Sequence, residues 1–580
     1  MEKEVAVDFQ KVVPFCRKHW EVLLIVLFII FGFYLRSYHM DFPVIGYHNM
    51  KENQYLPYTE FMYNADEFLD YFRTETYWIG HLEHGYFTQY EFPFIPWLIL
   101  PLWFIFGIEL WAARLVIILF SLASIPLLYL VGRKLTENRI LILTACFFFT
   151  IMPISVFFGR NVQPEAPGLF FILVGTYFFF CWREEVLANK FSYKHFLFFT
   201  LSFLLTILLK IPNGIGLVPL LFFVPYKHLF TQKKYFTYCT ILFILLMSFF
   251  PLWVSFSKLV MPGAATVGTS GFSESFAEVR TNIGLTLSSS YWQEHYFGIR
   301  SFVLDNFTAW FFWLALLGIF FACFKYKTVL GRFIVGSLVS VPLYVLFFAD
   351  KVRGHAYYQF VFLPLVCFAA AYALFVLSDS CRKILLQTSV KHTKIASSAF
   401  FSHGIFITFF FIFLFLSFSA VTEATDRVFD VIYYGEDLAG DFINKHSDST
   451  ERVFIDGVFS QSVGILWHAH RYGLDETTAN LTWFMELEQT RNFRWVVLYG
   501  PGIGTIQSKP EVWNYIQNTY NIRQIGLIMD NGQYAPYYFV LEKGGSFDVD
   551  GFVANKQPYL AKTYTTTQGT FSFYALDEEH

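Results

Sequence analysis

The ionisable side chains that a reaction would need fall in five short segments, each beside an apolar run. They are Tyr47-His48-Asn49-Met50-Lys51-Glu52-Asn53-Gln54-Tyr55, Tyr90-Glu91-Phe92-Pro93, Phe158-Gly159-Arg160-Asn161-Val162-Gln163-Pro164-Glu165, Lys210-Ile211-Pro212-Asn213-Gly214 and Asp350-Lys351-Val352-Arg353-Gly354-His355-Ala356-Tyr357-Tyr358. Carboxylates in such a set can take the proton of an acceptor hydroxyl. Cations can hold a phosphate and neutralise the charge that develops as a bond to it breaks. Together they suit transfer of a group from a phosphate-bearing lipid. The same groups would serve an ion or solute pathway, but charges would then be expected at mid-span, and the spans are nearly uncharged.

The elements that must position these segments follow from composition. Of 580 residues, 55% are hydrophobic and 15% charged, with 75 Phe. Ordinary soluble domains carry roughly 25% charged residues. That excludes a single soluble globule, a disordered chain, and a collagen-like or disulfide scaffold. A net charge of -3 gives no reason to expect nucleic acid. The cysteines show no metal-ligand spacing, and none follows Cys381.

A spanning helix needs roughly 20 mainly apolar residues. Eleven candidates meet or approach this: about 20–38, 111–131, 140–158, 166–181, 196–210, 212–225, 236–255, 308–324, 332–349, 359–377 and 397–419. With a cytoplasmic N-terminus, every inside loop holds at least three basic residues, whereas the long outside loops hold few. The first anchor is read as uncleaved, since no small-residue cleavage site follows it. This register requires Phe92–Gly107, with its three prolines, to lie at the outer membrane face with Trp97 and Trp103 at interfacial depth. It also places all five segments, and residues 421–580, outside. The first outer loop, 39–110, is expected to be partly helical over Tyr58–Phe72, with Asp66 and Glu67 on its wet side.

The expected fold is thus an α-helical polytopic membrane domain over 1–420, followed by an extracytoplasmic α/β domain over 421–580. In the latter, Arg452–Ile455, Trp495–Tyr499, Gln524–Met529 and Tyr537–Leu541 read as strands, and Ser460–Arg471 and Lys509–Tyr520 as helices.

In this order and topology the motifs resemble the polytopic GT-C glycosyltransferases, in the branch of protein O-mannosyltransferases and lipid A aminoarabinose transferases. The resemblance covers about residues 20–375. It rests on the acidic motif after span one, Glu91-Phe92-Pro93, Phe106-Gly107, Trp111-Ala112-Ala113-Arg114-Leu115, Tyr129-Leu130-Val131-Gly132-Arg133-Lys134, Phe158-Gly159-Arg160 with Pro164-Glu165, and His355 with Tyr357-Tyr358 and Pro364. The family commonly has Asp in the first motif where this chain has Lys51-Glu52, and the Trp-Trp-Asp signature of oligosaccharyltransferases is absent. The resemblance implies a polyprenyl-phosphate sugar donor and inversion by direct displacement. The expected acceptor is a protein, a lipid or an envelope glycan, and the resemblance to prokaryotic members implies a bacterial plasma membrane as the setting. The alternative class is a transporter or flippase of lipid-linked glycans.

Glu52 is the expected catalytic base, with Glu91 and Asp66 as its rivals. Lys51, Glu91, Arg160, Glu165, Lys210, Arg353, His355, Tyr357 and Tyr358 are the expected donor- and acceptor-binding residues. Arg160 and Glu165 could instead be a structural pair, Lys210 a snorkelling lysine, and Arg353, His355 and the tyrosines interfacial anchors. No cofactor is demanded, and a divalent metal is left open. His48 and His295 lack ligand-spaced partners. Asn480-Leu481-Thr482 matches an N-glycosylation acceptor.

Overall fold

The computed structural model describes residues 9–79, 91–261, 281–292, 302–388, 399–457, 462–500, 503–554 and 556–579. The chain divides into two compact units. One comprises Met1–Met40, Arg114–Leu252 and Ser270–Thr425; the other comprises Asp41–Ala113, Trp253–Thr269 and Asp426–His580.

The first unit is helical. Among the described residues, eight helices are long and apolar enough to cross a membrane: His19–Arg36, Leu110–Leu135, Glu165–Leu187, Lys233–Val260, Phe302–Phe324, Val329–Ala349, Ala356–Leu385 and His403–Phe429. The other three expected spans are shorter: Arg139–Ile151, Lys194–Leu209 and Ile211–Phe223. Two depart from a plain α-helix, and proline explains both. The span expected over 140–158 stops at Ile151, because Pro153 disfavours helical backbone at Met152, and resumes as Pro153–Phe157. Ile211–Phe223 is a 3-10 helix, in which Pro212 and Pro219 remove backbone donors. Elsewhere close packing is made by small residues. The Phe302–Phe324 helix meets Leu363–Thr388 so tightly that a Cβ on Gly318 would lie 1.8 Å from the Ala369 carbonyl oxygen.

The second unit is built on a seven-stranded sheet: β1 (Arg452–Asp456), β2 (Gly473–Asp475), β3 (Phe493–Tyr499), β4 (Tyr520–Asp530), β5 (Gln533–Lys543), β6 (Tyr559–Thr566) and β7 (Gly569–Asp577). The spatial order is β2-β1-β3-β5-β4-β7-β6. β1 runs parallel to β2 and β3, with Phe454 opposite Val496; the remaining pairs are antiparallel, with Val496 opposite Leu541. One face buries Phe454, Val496, Leu498, Ile525 and Leu541 against Phe484, Val512 and Ile516 of the Leu481–Arg491 and Pro510–Thr519 helices. The four expected strands and the Lys509–Tyr520 helix are present. The Ser460–Arg471 helix is shorter, Gly464–Ala469. Strands β2, β6 and β7 are additions. The edge at β2 is covered by the first-loop segment, where Gly473 N–H donates to Tyr77 O (2.9 Å) and Ile79 N–H to Gly473 O (3.0 Å).

The rest of that loop corrects the expected Tyr58–Phe72 helix. The helix runs Asn49–Tyr63, the chain breaks at Asn64, and a 3-10 turn follows over Phe68–Phe72. Asp66 and Glu67 are therefore in the break rather than on a wet helical face. Glu67 and Asp70 form a capping box for the 3-10 turn. The proline-rich segment is a helix over Phe94–Phe106, ended by Gly107 at φ +85°. Trp97 Nε1 donates to Tyr71 O (2.7 Å), and Trp103, expected at interfacial depth, is fully buried within this unit.

Candidate active site

The Asn49–Tyr63 helix carries the acidic motif. It is an unusual helix, because Asn49, Glu52, Asn53, Gln54, Thr59 and Glu60 are all buried on it. Buried polar groups persist only when they are partnered, and its long-range partners show what it is held by. Asn49 Nδ2 donates to Glu436 Oε2 (3.2 Å), and Asn53 Nδ2 to Val44 O (3.2 Å). Glu60 Oε1 accepts from His470 Nδ1 (2.7 Å) and from Tyr77 OH (2.9 Å). Lys51 Nζ donates to Gln54 Oε1 (2.8 Å), and Gln54 Nε2 in turn to Tyr58 OH (2.6 Å) and Glu91 Oε2 (3.2 Å). Lys51 Nζ also lies 3.8 Å from Glu91 Oε1.

Glu52 sits in the first turn of this helix and is 5% exposed. The helix's own field favours a negative charge there. Glu52 is thus helical and buried rather than a solvated loop acid. The electrostatics of its surroundings are uneven. Burial, then the Glu91 charge, pushes the Tyr58 hydroxyl well above its usual range. Burial pushes His48, in left-handed backbone at φ 51°, down to about 3, so it is neutral. The hydrogen bond to Glu60 raises His470. Glu436 is fully buried, and burial followed by Asp475 and Asp437 raises its carboxyl well above the usual range.

In the helical unit, Lys210 and Glu165 form a buried ion pair, Nζ to Oε1 2.5 Å. Lys210 Nζ also lies 4.5 Å from the Tyr357 ring centre and 3.9 Å from that of Tyr358. His355 stacks on both tyrosines at 5.1 and 5.9 Å. Lys210 is therefore not a lysine whose charge has snorkelled to water. Its partner is the carboxylate that the sequence offered to Arg160. Arg160 Nη1 instead donates to the carbonyls of Tyr38 and His39, both at 2.7 Å, beside Arg114 on His39 and Met40. Arg36, fully buried at the end of the first helix, donates to Ser121 Oγ, Ser155 Oγ and the carbonyls of Gly32 and Thr150. Three arginines thus secure the turn that follows span one.

The structure brings Lys51 to Glu91 in one unit, and Glu165, Lys210, His355, Tyr357 and Tyr358 together in the other. Arg353 lies on the Val329–Gly354 helix, with its side chain outside the described residues, as His295 is altogether. Sequence reasoning missed Gln54 and Tyr58, whose spacings from Lys51 and from each other are those of neighbours on a helix. It also missed Glu60, His470 and Glu436, for which no local signal exists. Asn480 caps the Leu481–Arg491 helix by accepting from Trp483 N–H (2.9 Å). Among the described residues, no group of three or more His, Cys, Asp or Glu is placed to hold a metal ion.

Solved structures of similar fold share little sequence with the chain. The archaeal oligosaccharyltransferase AglB from Archaeoglobus fulgidus, in complex with an inhibitory peptide and a dolichol-phosphate, is 12% identical with a TM-score of 0.58 over 90% of this chain and 74% of that one. ArnT from Cupriavidus metallidurans in the apo state is 11% identical with a TM-score of 0.52 over 90% of this chain and 98% of that one. The chain has the GT-C fold. The profile of the family described as dolichyl-phosphate-mannose-protein mannosyltransferase matches residues 91–254, within the GT-C region. No curated protein matches the chain by sequence. The enzyme class expected from the sequence, a membrane glycosyltransferase, is the one these matches support.

Proposed function

We propose that this GT-C chain transfers a sugar from a polyprenyl-phosphate donor to an acceptor on the extracytoplasmic face of a bacterial plasma membrane. The acceptor is a protein, a lipid or an envelope glycan. The observation that carries the reading is Glu52: a carboxylate in the first turn of a helix and 5% exposed, so desolvated yet in a field that favours its charge. In this reading Glu52 takes the proton of the acceptor hydroxyl as that oxygen attacks the anomeric carbon. The bond to the phosphate breaks, and the configuration inverts. Lys51 and Glu91 order the acceptor side through Gln54. On the donor side Arg353, Lys210 and His355 hold the phosphate as its charge develops, with Tyr357 and Tyr358 walling the cation, Glu165 setting its position and Arg160 fixing the adjoining turn. The names of the neighbours fit this reading, since one is in complex with dolichol-phosphate.

Label transfer tests it. Purified protein in detergent, given polyprenyl-phosphoryl sugars labelled in the sugar, should move label to an added acceptor extract. Label that stays on the lipid, yet crosses the bilayer of reconstituted vesicles, would favour the flippase instead.

A further inference from the structure

Six side chains of the helical unit are between 0 and 6% exposed, yet each holds a polar atom with no hydrogen-bond partner among the described residues. The atoms are Asn161 Oδ1, Gln163 Oε1 and Nε2, Glu165 Oε2, Asn213 Nδ2, Thr308 Oγ1 and Gln359 Nε2. Native structures leave few such groups, because each forfeits its hydration for nothing. Here they gather. Gln359 is on the 3-10 turn Ala356–Phe362, and the Glu165–Leu187, Ile211–Phe223 and Phe302–Phe324 segments all pack against that turn.

Side-chain geometry ties the group together. Asn213 Nδ2 lies 2.2 Å from where a Cβ on Gly168 would be, so only glycine one turn into the Glu165 helix admits that amide. Asn306 Nδ2 donates to Gln359 Oε1 and Ala356 O, both at 2.9 Å. That occupies the Gln359 oxygen and leaves its NH2 unused. Thr308, two residues on, is held at φ +57° inside a helix, a strained backbone for a β-branched residue. Lys210 joins Glu165 to Tyr357 and Tyr358, next to Gln359.

The mixture of unused atoms selects the ligand. Three are acceptors, three are amide donors, and the threonine hydroxyl can be either. A phosphate offers only acceptors and would face three oxygens, one of them a carboxylate's. A metal ion would leave the three amide donors unmet. Sugar hydroxyls each donate and accept, so they satisfy both kinds at once. We infer that these side chains form the subsite for the sugar head of the lipid donor, with Gln163, Asn213 and Gln359 reading its hydroxyls. This inference rests on the donor class proposed above.

The test compares lipids with and without the sugar. Full-length protein in detergent is titrated with undecaprenyl phosphate and with its mannosyl, glucosyl, galactosyl and 4-amino-arabinosyl derivatives. Wild type should bind one glycosylated lipid at least about tenfold more tightly than the bare phosphate. Gln163→Leu and Gln359→Leu should each cut that preference by about tenfold, the worth of one good hydrogen bond to a polar ligand. Affinity for undecaprenyl phosphate should stay within about twofold. The unliganded melting temperature of Gln163→Leu should not fall, because replacing an amide with neither atom partnered by an apolar residue of similar size removes a desolvation cost. Gln359→Leu also removes the acceptor of the Asn306 hydrogen bond, so it is read by ligand preference alone. Gln163→Met serves as a second, more adaptable replacement.

A preference kept in all three variants would overturn the subsite and leave ordered water as the occupant. So would equal wild-type binding of every lipid, or a Gln163→Leu protein that melts lower without ligand, which would show that amide holding the fold. Failure of wild type to bind any of these lipids would instead overturn the donor class proposed above.

Discussion

Asn49 Nδ2 donates a hydrogen bond to Glu436 Oε2 at 3.2 Å across 387 positions of sequence. Asn49 opens the helix that presents Glu52 one turn later, so the orientation of that turn depends on a carboxyl in the C-terminal part of the chain. The acceptor is unusual as well as distant. Glu436 is fully buried, and burial followed by the charges of Asp475 and Asp437 raises its carboxyl well above the usual range.

A pH prediction follows with a fixed sign. A carboxyl whose folded pKa is raised above its unfolded value of about 4.3 makes the folded state bind the extra proton. Its contribution to stability is complete below the unfolded pKa and is lost as pH rises toward the folded value. Glu436→Gln keeps the shape and the acceptor oxygen but cannot ionise. Its melting temperature relative to wild type should therefore rise as pH is taken from 5 to 9. A difference independent of pH would show that Glu436 is not held protonated.

Glu52→Gln should lower turnover by about 10²–10⁴, the usual worth of general-base assistance, with donor binding and protein level near wild type. The same change at Glu91 should act mainly through acceptor affinity, because Glu91 reaches the helix through Gln54 and Lys51. Initial rates over donor and acceptor concentrations distinguish the two. Full turnover in Glu52→Gln beside a dead Glu91→Gln would reassign the base to Glu91.

The Lys210–Glu165 pair is 11% and 2% exposed at its side chains, so removing one partner strands the other charge. Lys210→Met alone should cost about 3–5 kcal/mol. Adding Glu165→Gln should return most of that loss in a double-mutant cycle. Donor affinity should remain weakened in the double variant if Lys210 meets the phosphate, and return to wild type if the lysine only holds the fold.

The topology proposed from the loop charges puts residues 421–580 outside the cell. Ser508 is exposed, so Ser508→Cys should react with an impermeant thiol reagent on intact cells. Labelling only after permeabilisation would invert the topology.

The sequence by itself determined the membrane class, the positions of the spans and four of the seven strands. Apolar runs and alternating strands are local patterns, fixed by the period of the backbone and the thickness of a bilayer. It also determined which segments carry charge beside apolar runs. Tertiary structure alone decided who pairs with whom. Glu165 had Arg160 five residues away in sequence, yet Lys210 occupies it, because two helices and a 3-10 segment set the approach while Arg160 turns to backbone carbonyls. Likewise the polar Asn49–Tyr63 stretch lacks the apolar stripe that marks a buried helix. It is helical and buried only because Glu436, His470, Tyr77 and Glu91, at positions 17 to 410 residues from their partners, satisfy its side chains. Hydrogen bonds of that range leave no periodic trace in a sequence, since each needs only one residue at one distant position.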